Sequence, residues 1–202
     1  MTLTRRLRLG ATLSLLLSPA LALAAGPRTP GPEPGQEAPA FSLTGSDGKV
    51  HTLAEQKGKV VVLEWVNPDC PFVKRHYQAK TMKTLSEKFA GKEVVWLAIN
   101  STHYADQAAN KAFVAAESLA YAVLDDHDGA VGHQYGARTT PDMFVVDPEG
   151  KVAYRGAIDD DPFGDKAEKV NYVDAAVPAV LAKSAVAMAR TQPYGCSVKY
   201  KD

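Results

Sequence analysis

The feature that most constrains the fold is a near-continuous apolar run that ends at a cysteine-bearing loop. Residues 60–66 read Val-Val-Val-Leu-Glu-Trp-Val, a pattern typical of a strand that is covered on both faces. Residues 94–99 and 143–146 form two further runs of the same kind. A sheet built from such strands needs helices on both of its faces.

Helical and turn signals alternate with these strands. An Asp47-Gly48 turn joins residues 41–44 to residues 50–53 and predicts an N-terminal β-hairpin. A second turn over residues 148–151 leads into an antiparallel strand at residues 152–155. Helices are predicted at residues 71–89, 105–119, 129–135 and 171–189, with a short strand at residues 121–124 and a bend near Pro178. The sequence therefore predicts an α/β fold with a mixed sheet, helices on both faces and an N-terminal β-hairpin.

The first 24 residues have the pattern of a cleaved signal peptide. Arg5, Arg6 and Arg8 precede an apolar stretch that ends in Ala-Leu-Ala sequences. The alternative is an N-terminal membrane anchor, but the apolar stretch is shorter than the roughly 20 residues of a comfortable span. We therefore expect an exported protein, periplasmic or extracellular, with no membrane span after cleavage of residues 1–24.

The rest of the 202-residue chain is predicted to contain one domain. Residues 25–39 are rich in Pro and Gly and are interpreted as a linker. Residues 40–190 form the domain, and residues 191–202 form an irregular tail that carries Cys196. The formal net charge is zero, so nothing indicates a nucleic acid or an anionic membrane surface as partner.

Cys70 stands between the first apolar strand and a predicted helix. Pro71 follows it, and proline is favoured at the first position of a helix, so Cys70 is a candidate N-cap. Free backbone N–H groups and the helix dipole there favour the thiolate, as do Lys74 and Arg75, whereas Asp69 opposes it. The alternative is that Cys70 is a buried and inert hydrophobic residue.

The segment Cys70-Pro-Phe-Val resembles the active-site turn of thioredoxin-like proteins. Residues 139–146, Thr-Thr-Pro-Asp-Met-Phe-Val-Val, are similar to their second signature, a cis-proline loop that enters a strand. The nearer resemblance is to the redoxin branch, which includes alkyl hydroperoxide reductase/thiol-specific antioxidant proteins and their peroxiredoxin-like relatives. It rests also on residues 38–43, 46–49, 147–151, 154–160 and 193–200.

This resemblance implies a thioredoxin-like fold in which Pro141 holds a cis bond and lies against the Cys70 sulfur. It also implies that Pro71, Thr140 and Asn67 shape the pocket around Cys70. Two departures stand out. Val73 occupies the position of the second thioredoxin cysteine, and Asn67 occupies that of the threonine that precedes the reactive cysteine in typical peroxiredoxins.

Cys196 is the only other cysteine of the chain. It can act as a resolving cysteine that pairs transiently with an oxidised Cys70, form a permanent disulfide with it, or pair with another molecule. A permanent bridge would stabilise the fold by about 4–5 kcal/mol in the chain-entropy model. All three alternatives are compatible with the sequence.

Other polar residues are weaker candidates. Glu64 lies inside the first apolar strand and either relays protons near Cys70 or pairs with a lysine. Arg138 precedes the Thr-Thr-Pro loop and either approaches the thiolate or lies on the surface. The acidic run 159–161 is interpreted as a solvated loop rather than a cation site.

Two hypotheses for function follow. The first is a thiol-dependent oxidoreductase or peroxidase in which Cys70 attacks a small peroxide or a protein disulfide. An external thiol or a thioredoxin-like reductant would return the electrons, and no cofactor is expected. The second is a non-catalytic thioredoxin-fold module that binds a partner or delivers copper. Copper carriers of this fold use two closely spaced cysteines, a pattern that the chain lacks, so no metal ligands are assigned.

Overall fold

A computed structural model describes residues 30–201 of the chain. The strands are β1 Ser42–Thr44, β2 Val50–Thr52, β3 Val60–Trp65, β4 Val94–Asn100, β5 Val123–Asp125, β6 Thr139–Thr140, β7 Asp142–Val146, β8 Val152–Gly156 and β9 Cys196–Ser197. The helices are α1 Pro71–Gln78, α2 Thr81–Phe89, α3 Gln107–Glu117, α4 Ala130–Tyr135 and α5 Tyr172–Leu181, with a short 3₁₀ turn at Ala54–Gln56. These elements confirm the predicted α/β class and the N-terminal strand pair.

The central sheet has five strands in the order β5-β4-β3-β7-β8. Strand β3 pairs with β4 in parallel and with β7 in an antiparallel direction. In this register, Trp65 is the partner of Ile99 on one side and of Asp142 on the other. The antiparallel pairing brings the start of β7 to the end of β3. The loop that follows β3 and the loop that precedes β7 therefore lie side by side at the same end of these two central strands.

Both faces of the sheet are covered. Every residue of β3 is buried, as the near-continuous apolar run predicts. Val62 packs in the core shared with α1, α2 and α5, and Leu63 packs in the opposite core beside α4. Burying a large aliphatic side chain contributes about 1.5–3 kcal/mol, so the two layers together hold the sheet ends in position.

Two predicted helices differ from the structure. The segment 71–89 forms two helices, because Lys80 adopts a left-handed conformation with φ of 57° between them. The last helix ends at Leu181 and keeps Pro178 inside it; Lys183, with φ of 54°, follows. Neither break carries a glycine or the usual proline stop, so local pattern did not reveal it.

The described part of the predicted linker contacts the sheet edge. The Gly35 N–H donates to the Val152 carbonyl at 2.7 Å, and the Val152 N–H donates to the Gln36 carbonyl at 2.9 Å. The Arg155 guanidinium, which is buried, donates to the carbonyls of Pro30 and Pro32 at 3.0 Å. Residues 30–36 are therefore bound to β8 rather than free of the domain.

Candidate active site

Cys70 is the N-cap residue of α1. Its backbone is extended, with φ of −70° and ψ of 125°, and Pro71 follows at the first helical position. The Cys70 N–H donates to the Asn67 carbonyl at 3.0 Å, which closes the turn after β3. The side chain is only 2% exposed. The residue is therefore almost completely covered in this conformation.

The cis-proline loop lies against this sulfur. The bond between Thr140 and Pro141 is cis, as the resemblance implied. The Cys70 thiol donates to the backbone carbonyl of Thr140 at 2.9 Å. The Thr140 hydroxyl is buried with no hydrogen bond of standard geometry. The Thr140 side chain nevertheless lowers the pKa of Cys70 and so favours the thiolate. Of the residues assigned to the pocket, Thr140 thus makes direct contact with Cys70.

The tail returns to the same place as a strand. Strand β9 pairs with β6 in an antiparallel direction, with Cys196 opposite Thr140 and Ser197 opposite Thr139. The Cys196 thiol and its backbone N–H lie close enough to the Cys70 sulfur that both lower the pKa of Cys70, and neither cysteine is in a disulfide. The tail was expected to be irregular, and its ordering on the cis-proline loop is what brings the two thiols together.

The pKa values of the two cysteines are shifted in opposite directions. Burial raises the pKa of Cys70, but the neighbouring Cys196, the Thr140 side chain and the N–H of Val73 outweigh it and leave the pKa below its ordinary value. Burial and the neighbouring Cys70 raise the pKa of Cys196 to about 11. Cys70 is therefore the better nucleophile and the better leaving group of the pair.

The cations of α1 do not supply this stabilisation. Lys74 is exposed, and the Arg75 guanidinium donates to the Asp161 carbonyl at 2.8 Å. The sequence predicted that both would favour the thiolate. Instead, Arg75 is bound to Asp161, and the contacts that lower the pKa of Cys70 come from the cis-proline loop, the tail and the helix N-terminus.

Glu64 lies in a polar cluster of its own within the core. It is fully buried, accepts from the Tyr77 hydroxyl at 2.9 Å and accepts from the Trp96 indole N–H at 3.1 Å. Burial raises its pKa to about 7 against the opposing hydrogen bonds from Trp96, Tyr77 and Tyr121. Neither of these hydrogen-bond partners is Cys70 or a lysine, so both sequence interpretations of Glu64 lack a direct contact in the structure.

Asn67 and Arg138 are occupied elsewhere. The side-chain oxygen of Asn67, Oδ1, accepts the Asp69 N–H at 2.8 Å, and its side-chain amide nitrogen donates to the Tyr104 hydroxyl at 3.4 Å. Arg138 is exposed, and its backbone N–H donates to the Asp142 carboxylate at 3.0 Å. Asn67 therefore shapes the turn before Cys70. Asp142, which the sequence analysis missed, anchors the loop through the backbone of Arg138.

The acidic run 159–161 is not a solvated loop. Asp159 and Asp161 are 0% and 1% exposed, because backbone and tail groups surround them. The Asp161 carboxylate accepts the N–H groups of Gly164 and Asp165, at 2.8 and 3.0 Å. Asp159 accepts the hydroxyl of Tyr194 from the tail. Charge content alone suggested exposure, whereas tertiary contacts bury the first and last residues of the run.

Residues 30–201 contain neither a metal-ligating cluster nor a helix that could span a membrane. No cluster of three or more His, Cys, Asp or Glu residues in that range is arranged to hold a metal ion. No helix there is both long and apolar enough to cross a bilayer.

The fold and the paired loops around Cys70 are those of the thioredoxin-like class. A five-stranded mixed sheet carries the cysteine at a helix N-terminus and a cis-proline opposite it. The chain belongs to the AhpC/TSA family, whose model matches residues 34–155.

Relatives of known sequence support the same class. The thiol-disulfide oxidoreductase ResA of Bacillus thuringiensis subsp. konkukian is 32% identical over 120 residues, which are 59% of this chain and 67% of ResA. An uncharacterised conserved protein of Geobacillus kaustophilus superposes with a TM-score of 0.75 at 30% identity, covering 83% of this chain and 92% of its own. A structure assigned as the thiol:disulfide interchange protein DsbE of Chlorobium tepidum superposes with a TM-score of 0.56 at 26% identity, covering 62% and 85%. The chain is a member of a thiol-disulfide oxidoreductase-like redoxin family.

Proposed function

We propose that this protein is a thiol-disulfide oxidoreductase in which Cys70 is the nucleophile and Cys196 is the resolving cysteine. The observation that carries the proposal is the contact between the two thiols across the β6–β9 pair. Because Val73 stands where a helix-borne second cysteine would lie, the tail supplies the partner thiol instead.

The first step is an exchange at Cys70. Its thiolate attacks one sulfur of a substrate disulfide, a new S–S bond forms, and the other substrate sulfur leaves as a thiolate that takes up a proton. The Val73 N–H at the start of α1 and the Thr140 hydroxyl favour the thiolate that begins this step.

The second step resolves the mixed disulfide. The Cys196 thiol loses its proton, and the resulting thiolate attacks the Cys70 sulfur and expels the second substrate thiolate. The substrate gains two electrons and two protons, and the protein holds a Cys70–Cys196 disulfide. An external dithiol then reduces that disulfide and restores both thiols. The proximity of the two sulfurs makes the second step intramolecular and fast.

A small peroxide is a second candidate substrate, and the burial of Cys70 favours it. With 2% exposure, the sulfur is more open to a small oxidant than to a protein disulfide. The thiolate would attack one peroxide oxygen and form a sulfenic acid while the other oxygen leaves as an alcohol or water. Cys196 would then condense with the sulfenic acid and release water.

The test compares both substrate classes in the same protein. Reduced protein is mixed with glutathione disulfide or with hydrogen peroxide, and thiol loss is followed with time. We expect wild type to consume one equivalent of either oxidant through Cys70. Cys70→Ser should show none of this rapid consumption. Equal rates in wild type and Cys70→Ser would reject both candidates and favour a non-catalytic binding module.

We also propose that the protein acts outside the cytoplasm. The support is the arginine-rich start and the apolar stretch of residues 1–24, which lie outside the described residues. An exported location is an oxidising one, in which a two-cysteine pair is cycled readily. N-terminal sequencing of the mature protein from a fractionated host tests this: a start near residue 25 is expected, and a start at Met1 or Thr2 would contradict export by cleavage.

A further inference from the structure

Tyr194 stands two residues before Cys196 and joins the tail to the helix that carries Cys70. Its hydroxyl donates to the buried Asp159 carboxylate. The same oxygen lies 2.9 Å from His76 Nε2 and accepts from Arg75 at 3.4 Å. Its ring packs beside Phe72, with ring centroids 6.0 Å apart. Three of these four partners belong to α1, the helix that Cys70 caps.

The groups around this hydroxyl are held firmly in the interior. His76 and Asp159 are both 0% exposed, and burial, together with Arg75, lowers the pKa of His76 to about 3, so its ring is neutral at physiological pH. The second carboxylate oxygen of Asp159 and Nδ1 of His76 have no hydrogen-bond partner. The oxygen of Asp159 that meets Tyr194 also accepts the Asp161 N–H at 3.1 Å, and His76 Nε2 also lies 3.0 Å from the Arg75 guanidinium. Loss of the Tyr194 hydroxyl would leave the buried Asp159 carboxylate, which already has one unpaired oxygen, with only the Asp161 N–H as a donor, and this is costly in a buried site.

The other end of the tail is held independently. The Val198 N–H donates to the Arg138 carbonyl at 3.0 Å, and the Tyr200 hydroxyl donates to the Ala137 carbonyl at 2.8 Å. Cys196 therefore lies between two anchors. Of these two anchors, Tyr194 is the one that contacts α1 and so fixes the distance between the tail and the helix behind Cys70.

We propose that Tyr194 is a positioning residue for Cys196: the hydrogen bonds of its hydroxyl to Asp159 and His76 hold the tail strand over Cys70. The inference deepens the proposed function and depends on it for its chemical meaning. While the anchor is intact, Cys196 stays at high effective concentration beside Cys70 and shields it from solvent. When the anchor opens, β9 can leave β6 and Cys70 becomes accessible to larger substrates.

The experiment uses Tyr194→Phe, which keeps the ring beside Phe72 and removes only the hydroxyl. Iodoacetamide labelling of Cys70 in the reduced full-length protein is followed by peptide mass spectrometry. We expect labelling about tenfold faster than in wild type, the size of effect that one hydrogen bond to a charged group supports. Asp159→Asn is expected to act in the same direction, with the side-chain volume nearly unchanged.

The matched control is Tyr135→Phe, which removes a hydroxyl that donates to the Pro39 carbonyl at 2.8 Å in the opposite core. Its Cys70 labelling rate should stay at the wild-type value. Unchanged labelling in Tyr194→Phe, or equal acceleration in Tyr135→Phe, would overturn the inference. The second outcome would mean that general loosening of the fold, rather than the anchor, exposes Cys70.

A second measurement separates this inference from the proposed function. Each protein is equilibrated in glutathione redox buffers, and the fraction of Cys70–Cys196 disulfide is determined. We expect wild type to form the disulfide. In Tyr194→Phe, half of the disulfide should be reduced in a buffer that is about tenfold less reducing than the one needed for wild type. A disulfide that never forms in wild type would reject the function, while faster labelling would still support the anchor. A disulfide equally stable in both proteins would reject the anchor and leave the function standing.

Discussion

Gly195 lies directly against the carbonyl group of Thr140, and a β-carbon at position 195 would overlap that oxygen. Its φ of 135° is also in the region that favours glycine. The same Thr140 carbonyl accepts the Cys70 thiol. One glycine therefore allows the tail to approach the cis-proline loop closely enough for its neighbour Cys196 to reach Cys70.

We predict that Gly195→Ala displaces the tail. The backbone strain alone costs about 1–3 kcal/mol, and the overlap with Thr140 adds to it. Gly35→Ala is the matched control, because Gly35 also has a positive φ, of 88°, but nothing within 4 Å of its added carbon. Thermal unfolding and Cys70 labelling are measured for both variants. Both should lose stability, and only Gly195→Ala should expose Cys70; equal labelling would contradict the assignment.

Removing the resolving thiol should trap the first intermediate. In Cys196→Ser, Cys70 still attacks glutathione disulfide, but nothing in the chain expels the bound glutathione, so a mixed disulfide persists on Cys70. Wild type should pass through that species and end with an internal disulfide. Intact-mass measurement at successive times distinguishes the two. A wild-type protein that keeps glutathione as long as the variant would show that Cys196 does not resolve Cys70.

The acidity of Cys70 should depend on Cys196. Burial raises the pKa of Cys70, and the Cys196 thiol is the foremost of the groups that oppose this effect. We therefore expect Cys196→Ala to raise the pKa of Cys70. Cys196→Ser should raise it less, because a hydroxyl still donates to the sulfur. The pH dependence of iodoacetamide labelling at Cys70 gives the value directly, and identical profiles in all three proteins would refute the contact.

Glu64 should make the fold less stable as pH rises. Its pKa is about 7 in the folded protein against an ordinary 4.5, so the folded state holds an extra proton between those values. The free energy of unfolding then falls by about 3 kcal/mol from below pH 4.5 to above pH 7. Burial raises the pKa of Asp142 to about 7 as well, which adds to the fall.

Urea unfolding at a series of pH values tests this, with Glu64→Gln as the comparison. In this variant, the free energy of unfolding should no longer show the fall with pH that Glu64 causes, and it should keep the fall that Asp142 causes. The Gln amide accepts from Tyr77 but presents N–H to the Trp96 indole, so some loss of stability at low pH is also expected. A slope equal to that of wild type would mean that Glu64 is ionised across this range.

The features predicted correctly from sequence are local ones. The apolar run of β3 and the Cys70-Pro71 pair each depend on neighbours in the chain, and both match the structure. The position of Pro141 rested on resemblance to known proteins and was also confirmed. Patterns of this kind survive folding because burial of a strand and capping of a helix use residues within a few positions.

The features that sequence missed depend on contacts between distant segments. Strand β9 has only two residues, too few for a periodic pattern, and it exists because β6 and Gly195 accept it. Asp159 looks solvated by composition, yet Tyr194 buries it from far along the chain. Cys196 could therefore be named as a candidate partner from sequence, but its place beside Cys70 could not.

The most direct test of the account is the oxidation product of the wild-type protein. Reduced protein is treated with one equivalent of glutathione disulfide, quenched with an alkylating agent and digested without reduction. Mass spectrometry should find one cross-linked pair of peptides, joined through Cys70 and Cys196, with no glutathione attached. Separate glutathione adducts on the two cysteines, or two unmodified thiols, would contradict the claim that they form one redox pair.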